Sequence, residues 1–409
     1  MKRLLFVTYG GGHIAMVLPV LRALRQRDTG VHCCLLALTT GFARAQLAGE
    51  RPLGYQDFLH LVDAESALSW GRRLHSNNLS PDVPQAESLA YLGVNYLDLI
   101  EQHGLAGAAA CYAAQGRYGF WPLHFMRKLI TELAPDMVVA TNSPRSEEAA
   151  LNVAVERGIP SLGMIDLFGL DTDPYLSRTH RPQTTCVIAS VVRERLLARG
   201  FAPQGVHVTG NPAFDGLLAP QNAAAAQAFI AERSWQGCKV LLWTGNIEPY
   251  THPASSVPAG HALSLEVEAV LRELVRQHTD WALVIRYHPS EWHTYPPHAA
   301  QERVHFSIPS QEPIQPLILA ASVVVVQNST VGLESAVAGK PVVSIENSPS
   351  VHATFSLAAM QVSTACATPA DLRHVLPRVL AAPPLQTHPY RSDGLAAQRV
   401  ADLILQALV

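Results

Sequence analysis

The sequence predicts an α/β protein made of two doubly wound domains with an interdomain cleft and a C-terminal helix. Three observations predict it. Short aliphatic runs alternate with helix-length amphipathic segments along the chain. The alternation comes in two series, separated by an Ala- and Gln-rich stretch at 219–231. Most aliphatic runs also end in glycine, or in small polar or charged residues, as parallel strands do where they meet a ligand.

The first series opens with a strand at Leu4–Thr8, then a helix at Ile14–Arg27 with apolar residues at 14, 17, 18, 21 and 24. Pro19 lies early enough in that helix to be tolerated with a bend. Val31–Ala37 is the second strand, and residues 57–120 read as mostly helical. Strands follow at Met137–Thr141, Ser161–Ile165, Thr185–Ala189 and Val206–Thr209, with a helix at Glu147–Arg157. The second series has strands at Val240–Trp243, Ala282–Tyr287, Val323–Val326 and Pro341–Ile345. Its helices fall near Leu263–Gln277, Ile314–Ala320 and from Val331 onward. The implied domains are 1–215 and 237–390, with a linker at 216–236 and a C-terminal helix in 391–409 returning to the first domain.

Bulk properties exclude several classes. With 48% hydrophobic and 15% charged residues the chain is globular, not disordered. A net charge of −3 without a long basic run argues against nucleic acid as the main partner. No apolar stretch approaches the roughly 20 residues of a membrane span. The apolar N-terminus is too short for a secretion signal and leads into glycines, so it reads as a strand. Helix faces between 57 and 130 fit either a core or a lipid surface, which leaves peripheral membrane contact open. Cys33, Cys34, Cys111, Cys186, Cys238 and Cys366 show no metal spacing; buried free thiols in a cytoplasmic protein are the economical reading.

The richest segment is Gln327-Asn328-Ser329-Thr330-Val331-Gly332-Leu333-Glu334. It follows the aliphatic run 323–326, a buried parallel strand. Ser329 and Thr330 stand where a helix starts, so their hydroxyls and the free N–H groups can meet a phosphate. Glu334 lies one turn on, on the side of Thr330, where a carboxylate can take a ribose diol. An N-capped helix with a solvent-facing Glu is the plainer alternative.

Other strand ends add to it. Gly10-Gly11-Gly12-His13 makes a tight turn into a helix; Gly11 and Gly12 let a ligand approach the backbone, and His13 can serve as a general base. This is not the dinucleotide fingerprint, which argues against NAD. Asn142, Asp166 and Asn211 follow the strands at 137, 161 and 206; Gly245 and Asn246 follow the strand at 240, and His288 the strand at 282. Asp166 and Asp171 flank Phe168-Gly169 and can orient His13 or bind an acceptor, or belong to a solvated loop. The pair Asp171-Thr172-Asp173 reads as loop, so no metal and no cofactor is expected. There is no G-x-S-x-G and no Walker lysine loop.

Taken together, these residues resemble the GT-B superfamily of nucleotide-sugar enzymes, which have two Rossmann-like domains. Gly10 to His13 with Pro19 is similar to the opening of the lipid-linked N-acetylglucosaminyltransferases of peptidoglycan synthesis, and also to sugar-nucleotide hydrolases. Val208 to Asp215, His288-Pro289 and Ser329 to Val343 are similar to the UDP-N-acetylglucosamine 2-epimerases. His288-Pro289 with Ser329-Thr330 also resembles the bacterial sialyl-, Kdo- and glycerophosphate-transferases. The chain departs from the epimerase pattern: where that family has an Asp and a Glu after two strands, it carries Asn142 and, one place displaced, Asp166. It also lacks the paired-acid-Gly motif of the sialyl-type transferases.

The resemblance implies a metal-independent, inverting glycosyltransferase using a nucleotide-sugar donor, UDP before CMP. The acceptor would be a glycan or lipid-linked intermediate of surface-polysaccharide synthesis. His13 and Asp166 would be catalytic, with Gly11, Gly12 and Asn211 on the acceptor or phosphate side. Gly245, Asn246, His288, Ser329, Thr330 and Glu334 would bind the donor. A UDP-N-acetylglucosamine 2-epimerase or a sugar-nucleotide hydrolase is the alternative.

Overall fold

A computed structural model describes the chain except residues 28–29, 76–82, 171–172, 174–175, 177–179, 384–387 and 409. The elements begin with β1 (Lys2–Thr8), α1 (Gly12–Gln26), β2 (Val31–Ala37), α2 (Thr40–Leu47), α3 (Ala64–Leu74), α4 (Gln85–Gln115, broken at Gly104) and α5 (Leu123–Leu133). They continue with β3 (Met137–Thr141), α6 (Ser146–Glu156), β4 (Ser161–Met164), β5 (Thr184–Val187), α7 (Ser190–Ala198), β6 (Val206–Val208) and α8 (Pro220–Glu232). Then come β7 (Lys239–Gly245), α9 (Ala262–Gln277), β8 (Trp281–Tyr287), β9 (Val304–Phe306), α10 (Ile314–Ala320), β10 (Val323–Val326) and α11 (Thr330–Val337). The last are β11 (Val342–Ile345), α12 (Pro349–Ala353), β12 (Thr364–Cys366), α13 (Leu372–Ala381) and α14 (Ala396–Ala407).

The chain divides into two compact units, Met1–Ala213 with Leu395–Val409, and Phe214–Gly394. Each is built on a six-stranded parallel sheet, as the strand–helix alternation predicts. The strand order in unit 1 is β2-β1-β3-β4-β5-β6, and in unit 2 β12-β11-β10-β7-β8-β9. In unit 1 the chain runs outward from β1 to β2 and returns to pair β3 on the other side of β1. In unit 2 it runs from β7 through β8 to β9 and returns to pair β10 on the other side of β7. The reversals between β1 and β3, and between β7 and β10, are the places where doubly wound sheets open a crevice at the strand carboxyl ends.

Both sheets are sealed by aliphatic helix faces. In unit 1, Ile14, Val17, Val20, Leu21 and Leu24 of α1 are buried against Leu4, Phe6, Val139 and Leu162 of the sheet. Ala397, Val400, Ala401 and Ile404 of α14 join the same core, and Arg27 pairs with Asp402 across the two helices. In unit 2, Val267, Leu271 and Leu274 of α9 cover Leu241, Trp243, Leu283 and Ile285.

The stretch 216–236, expected to be a linker, is mostly helix α8, and that helix packs against α10 inside unit 2. Its alanines signalled a spacer but are good helix formers, and Phe229 and Ala226 bury its inner face. The six cysteines are free, but Cys33, Cys34, Cys111 and Cys238 are only half-buried; Cys186 and Cys366 are buried. No described helix is long and apolar enough to cross a membrane.

Candidate functional site

Unit 2 holds a cavity of about 630 Å³ at the β7/β10 reversal. Gly245, Asn246, His288, Ser329, Thr330 and Glu334, scattered over 90 residues of sequence, all line it. The plain strand β10 delivers the chain to Ser329, whose extended backbone and hydroxyl cap α11; Ser329 Oγ accepts the Val331 N–H at 3.2 Å. The start of α11 therefore faces the cavity with unpaired N–H groups and the exposed Thr330 hydroxyl.

Glu334, one turn further along α11, is the most informative group in this cavity. Its carboxylate has no hydrogen-bond or ion-pair partner among the described residues, and burial alone pushes its pKa up to about 7. A carboxylate kept without a partner at a cavity wall is an acceptor ready for a hydroxyl-bearing ligand.

The far wall is held by a buried carboxylate that sequence reasoning passed over. Glu248 accepts from Gln327 Nε2 at 2.9 Å, Ser348 Oγ at 2.6 Å, Ser350 N at 3.0 Å and Ser350 Oγ at 2.8 Å. Gln327 Oε1 in turn accepts the Asn246 N–H at 2.9 Å, which stitches the β7 loop to the β10 loop. A lone acid three residues past a strand-end glycine was the available signal. Glu248→Ala is expected to cost about 3 kcal/mol, because it strands four buried donors. A lowered urea midpoint with an unchanged slope would register that cost.

Gly245 has a packing reason to be glycine. A Cβ there would stand 2.8 Å from the Trp243 ring and 2.9 Å from the Tyr287 ring. The expected close approach of a ligand is therefore not needed to explain it. His288 is exposed; its N–H donates to Gly245 O at 3.0 Å, and its Nδ1 pairs with Ser290 Oγ at 2.8 Å.

Unit 1 gathers a second group of expected residues at the β1/β3 reversal. Gly11 adopts φ +67°, which lets β1 turn sharply into α1, and its carbonyl accepts from Arg44 Nη1 at 3.1 Å. Gly12 has open space around it. His13 follows, with Nε2 4.0 Å from Asp166 Oδ2; both side chains are about a quarter exposed. Asn142 Oδ1 accepts the Asp166 N–H at 3.1 Å, and Asn211 Nδ2 donates to Asp166 O at 2.8 Å. Asn142 Nδ2 also donates to Asp173 Oδ2 at 3.0 Å. Asn142 and Asn211 thus brace the backbone that presents Asp166. Asp171 and Thr172 of the paired-aspartate stretch lie outside the described residues. No cluster of metal-ligating side chains occurs among the described residues.

One strong group was missed. Glu147, in the first turn of α6, is fully buried, and neither carboxylate oxygen has a hydrogen-bond partner among the described residues. The neighbouring Ser143 hydroxyl is outside hydrogen-bond geometry with it. Burial raises its pKa, opposed by the charges of His13 and Arg145.

Known proteins point the same way. Residues 178–405 match the family model for UDP-N-acetylglucosamine 2-epimerase. A search of curated proteins returns no significant match. Among solved structures, the UDP-GlcNAc 2-epimerase from Neisseria meningitidis bound to UDP-GlcNAc aligns over 99% of this chain and 100% of its own, at 14% identity and a TM-score of 0.56. The UDP-GlcNAc 2-epimerase from Methanocaldococcus jannaschii aligns over 99% and 100%, at 13% identity and a TM-score of 0.59. The glycotransferase of kitacinnamycin aligns over 100% and 99%, at 15% identity and a TM-score of 0.51. At these identities the structural likeness establishes the GT-B fold alone. The family match spans more than half of the 409 residues, and on it the chain belongs to the UDP-N-acetylglucosamine 2-epimerase family.

Proposed function

We propose that this protein acts on a UDP-N-acetylhexosamine as a 2-epimerase or a hydrolysing epimerase. The observation that carries the ligand class is Glu334, an unpartnered carboxylate on the same cavity as the start of α11. In this reading Glu334 takes the ribose diol, and Ser329, Thr330 and the α11 N-terminus take the diphosphate with His288 nearby. Family membership supports the reaction class over the glycosyl transfer expected from the sequence.

The chemistry needs proton transfer at the sugar and stabilisation of the departing diphosphate. Loss of the C2 proton with departure of UDP from C1 leaves a C1=C2 double bond. Return of UDP and a proton to the opposite face gives the 2-epimer; addition of water instead gives the free sugar. His13, with Asp166 beside Nε2, is the proposed acid–base group in unit 1. The α11 N-terminus supplies fixed positive potential for the diphosphate.

Incubation with UDP-N-acetylglucosamine and no acceptor, followed by NMR, tests the reading. The 2-epimer or free N-acetylmannosamine is the expected product. Turnover that appears only on adding a glycan or lipid-linked acceptor would establish the transferase instead. A thermal-shift panel of UDP, CMP, CDP and GDP should show the largest rise for UDP.

A further inference from the structure

The β1/β3 reversal of unit 1 holds more unpaired buried chemistry than the roles of His13 and Asp166 use. Glu147 is 0% exposed, and both its carboxylate oxygens lack a hydrogen-bond partner among the described residues. His13 Nδ1 is likewise buried and without a partner, while Nε2 faces Asp166. Thr141 Oγ1, Ser143 Oγ, Arg145 Nε and Tyr91 Oη share that condition. A sealed carboxyl with no donor costs several kcal/mol if ionised, so a fold retains it unpaired where the neutral form is used.

The groups that face Glu147 come from each neighbouring element. His13 comes from α1, Arg145 from the turn before α6, and Tyr91 from α4; the Arg145 guanidinium also lies 4.3 Å from the centre of the Tyr9 ring at the end of β1. Glu148, the next residue, is buried as well. Of these, the charge of His13 has the largest influence on Glu147 after burial itself, and it acts in the opposite sense.

We propose that Glu147 and His13 share one dissociable proton, with Glu147 acting as a positioning residue for the acid–base chemistry at His13. In one state the carboxyl O–H is intact and the imidazole neutral. In the other the O–H bond has broken, an imidazole N–H has formed, and a carboxylate faces an imidazolium. The exchange leaves net charge unchanged and needs no co-reactant. It also answers the departure seen in the sequence: the carboxylate absent at Asn142 is matched by one at the start of the following helix. The catalytic part rests on the proposed reaction; the shared proton does not.

Infrared difference spectroscopy of the full chain at pH 7, wild type minus Glu147→Gln, tests the pair without any substrate. A protonated-carboxyl C=O stretch in the wild type that vanishes in the variant is expected; its absence in the wild type overturns the proposal. Glu147→Gln should lower kcat at least about tenfold, with KM within about twofold and one limb of the pH profile lost. Unchanged kcat and pH profile would also overturn it. Glu147→Leu guards against a purely packing role: its melting temperature should hold or rise. A fall in both variants, with normal turnover per folded molecule, assigns Glu147 to structure only. If the wild type does not process UDP-N-acetylglucosamine yet shows the carboxyl band, the reaction reading fails and the proton pair stands.

Discussion

Glu334→Gln is expected to weaken UDP binding by about 10- to 100-fold, the loss of one or two charge-assisted hydrogen bonds to the ribose. The same change should stabilise the ligand-free protein, and the gain should depend on pH. The folded-state pKa of Glu334 is raised from 4.5 to about 7. Below pH 4.5 the carboxyl is protonated in both folded and unfolded chains, so it contributes no penalty. As pH rises from 4.5 through 7 the unfolded chain ionises first, and the folded state loses stability until the folded carboxyl ionises too. The penalty saturates at roughly 3 kcal/mol above pH 7. Urea denaturation at pH 4 and pH 8 should therefore show little difference between variant and wild type at the lower pH and a more stable variant at the higher. Calorimetric titration with UDP completes the pair of measurements. Unchanged UDP affinity would remove Glu334 from the nucleotide site, whatever its effect on stability.

His13→Ala should lower turnover of UDP-N-acetylglucosamine by about 10² to 10⁴, the range of a lost general acid–base group. UDP affinity should stay within about twofold, because His13 belongs to unit 1 and the UDP-lining residues to unit 2. A kcat collapse with unchanged UDP binding separates the two roles. Turnover that survives the substitution would transfer the acid–base role to another group, with Asp166 and Glu147 the next to replace.

The candidate site was readable where chemistry is local. Ser329, Thr330 and Glu334 lie within six residues, so helix geometry alone puts them on one side. His288 and Asn246 could be named as strand-end residues, but their common cavity depends on which strands are neighbours. Glu248 and Glu147 were passed over for a related reason. Each looks like an ordinary surface acid in sequence, and only packing shows one satisfied four times and the other not at all. The stretch 216–236 went the other way: its composition suggested a spacer, while contacts with α10 make it part of unit 2.

Periodicity and strand-end chemistry were enough to determine two parallel α/β units, the nucleotide-binding segment at 327–334 and His13 as the acid–base candidate. These follow from local rules, in which an aliphatic run must be buried and a helix start must find acceptors. The strand order was decided only by tertiary structure, because parallel strands pair through crossovers whose direction no local pattern records. That order places the segment at 327–334 beside Gly245 and Asn246, and His13 beside the loop that carries Glu147. Burial then sets the charges that matter, by leaving Glu334 and Glu147 without the partners that a surface carboxylate would find in water.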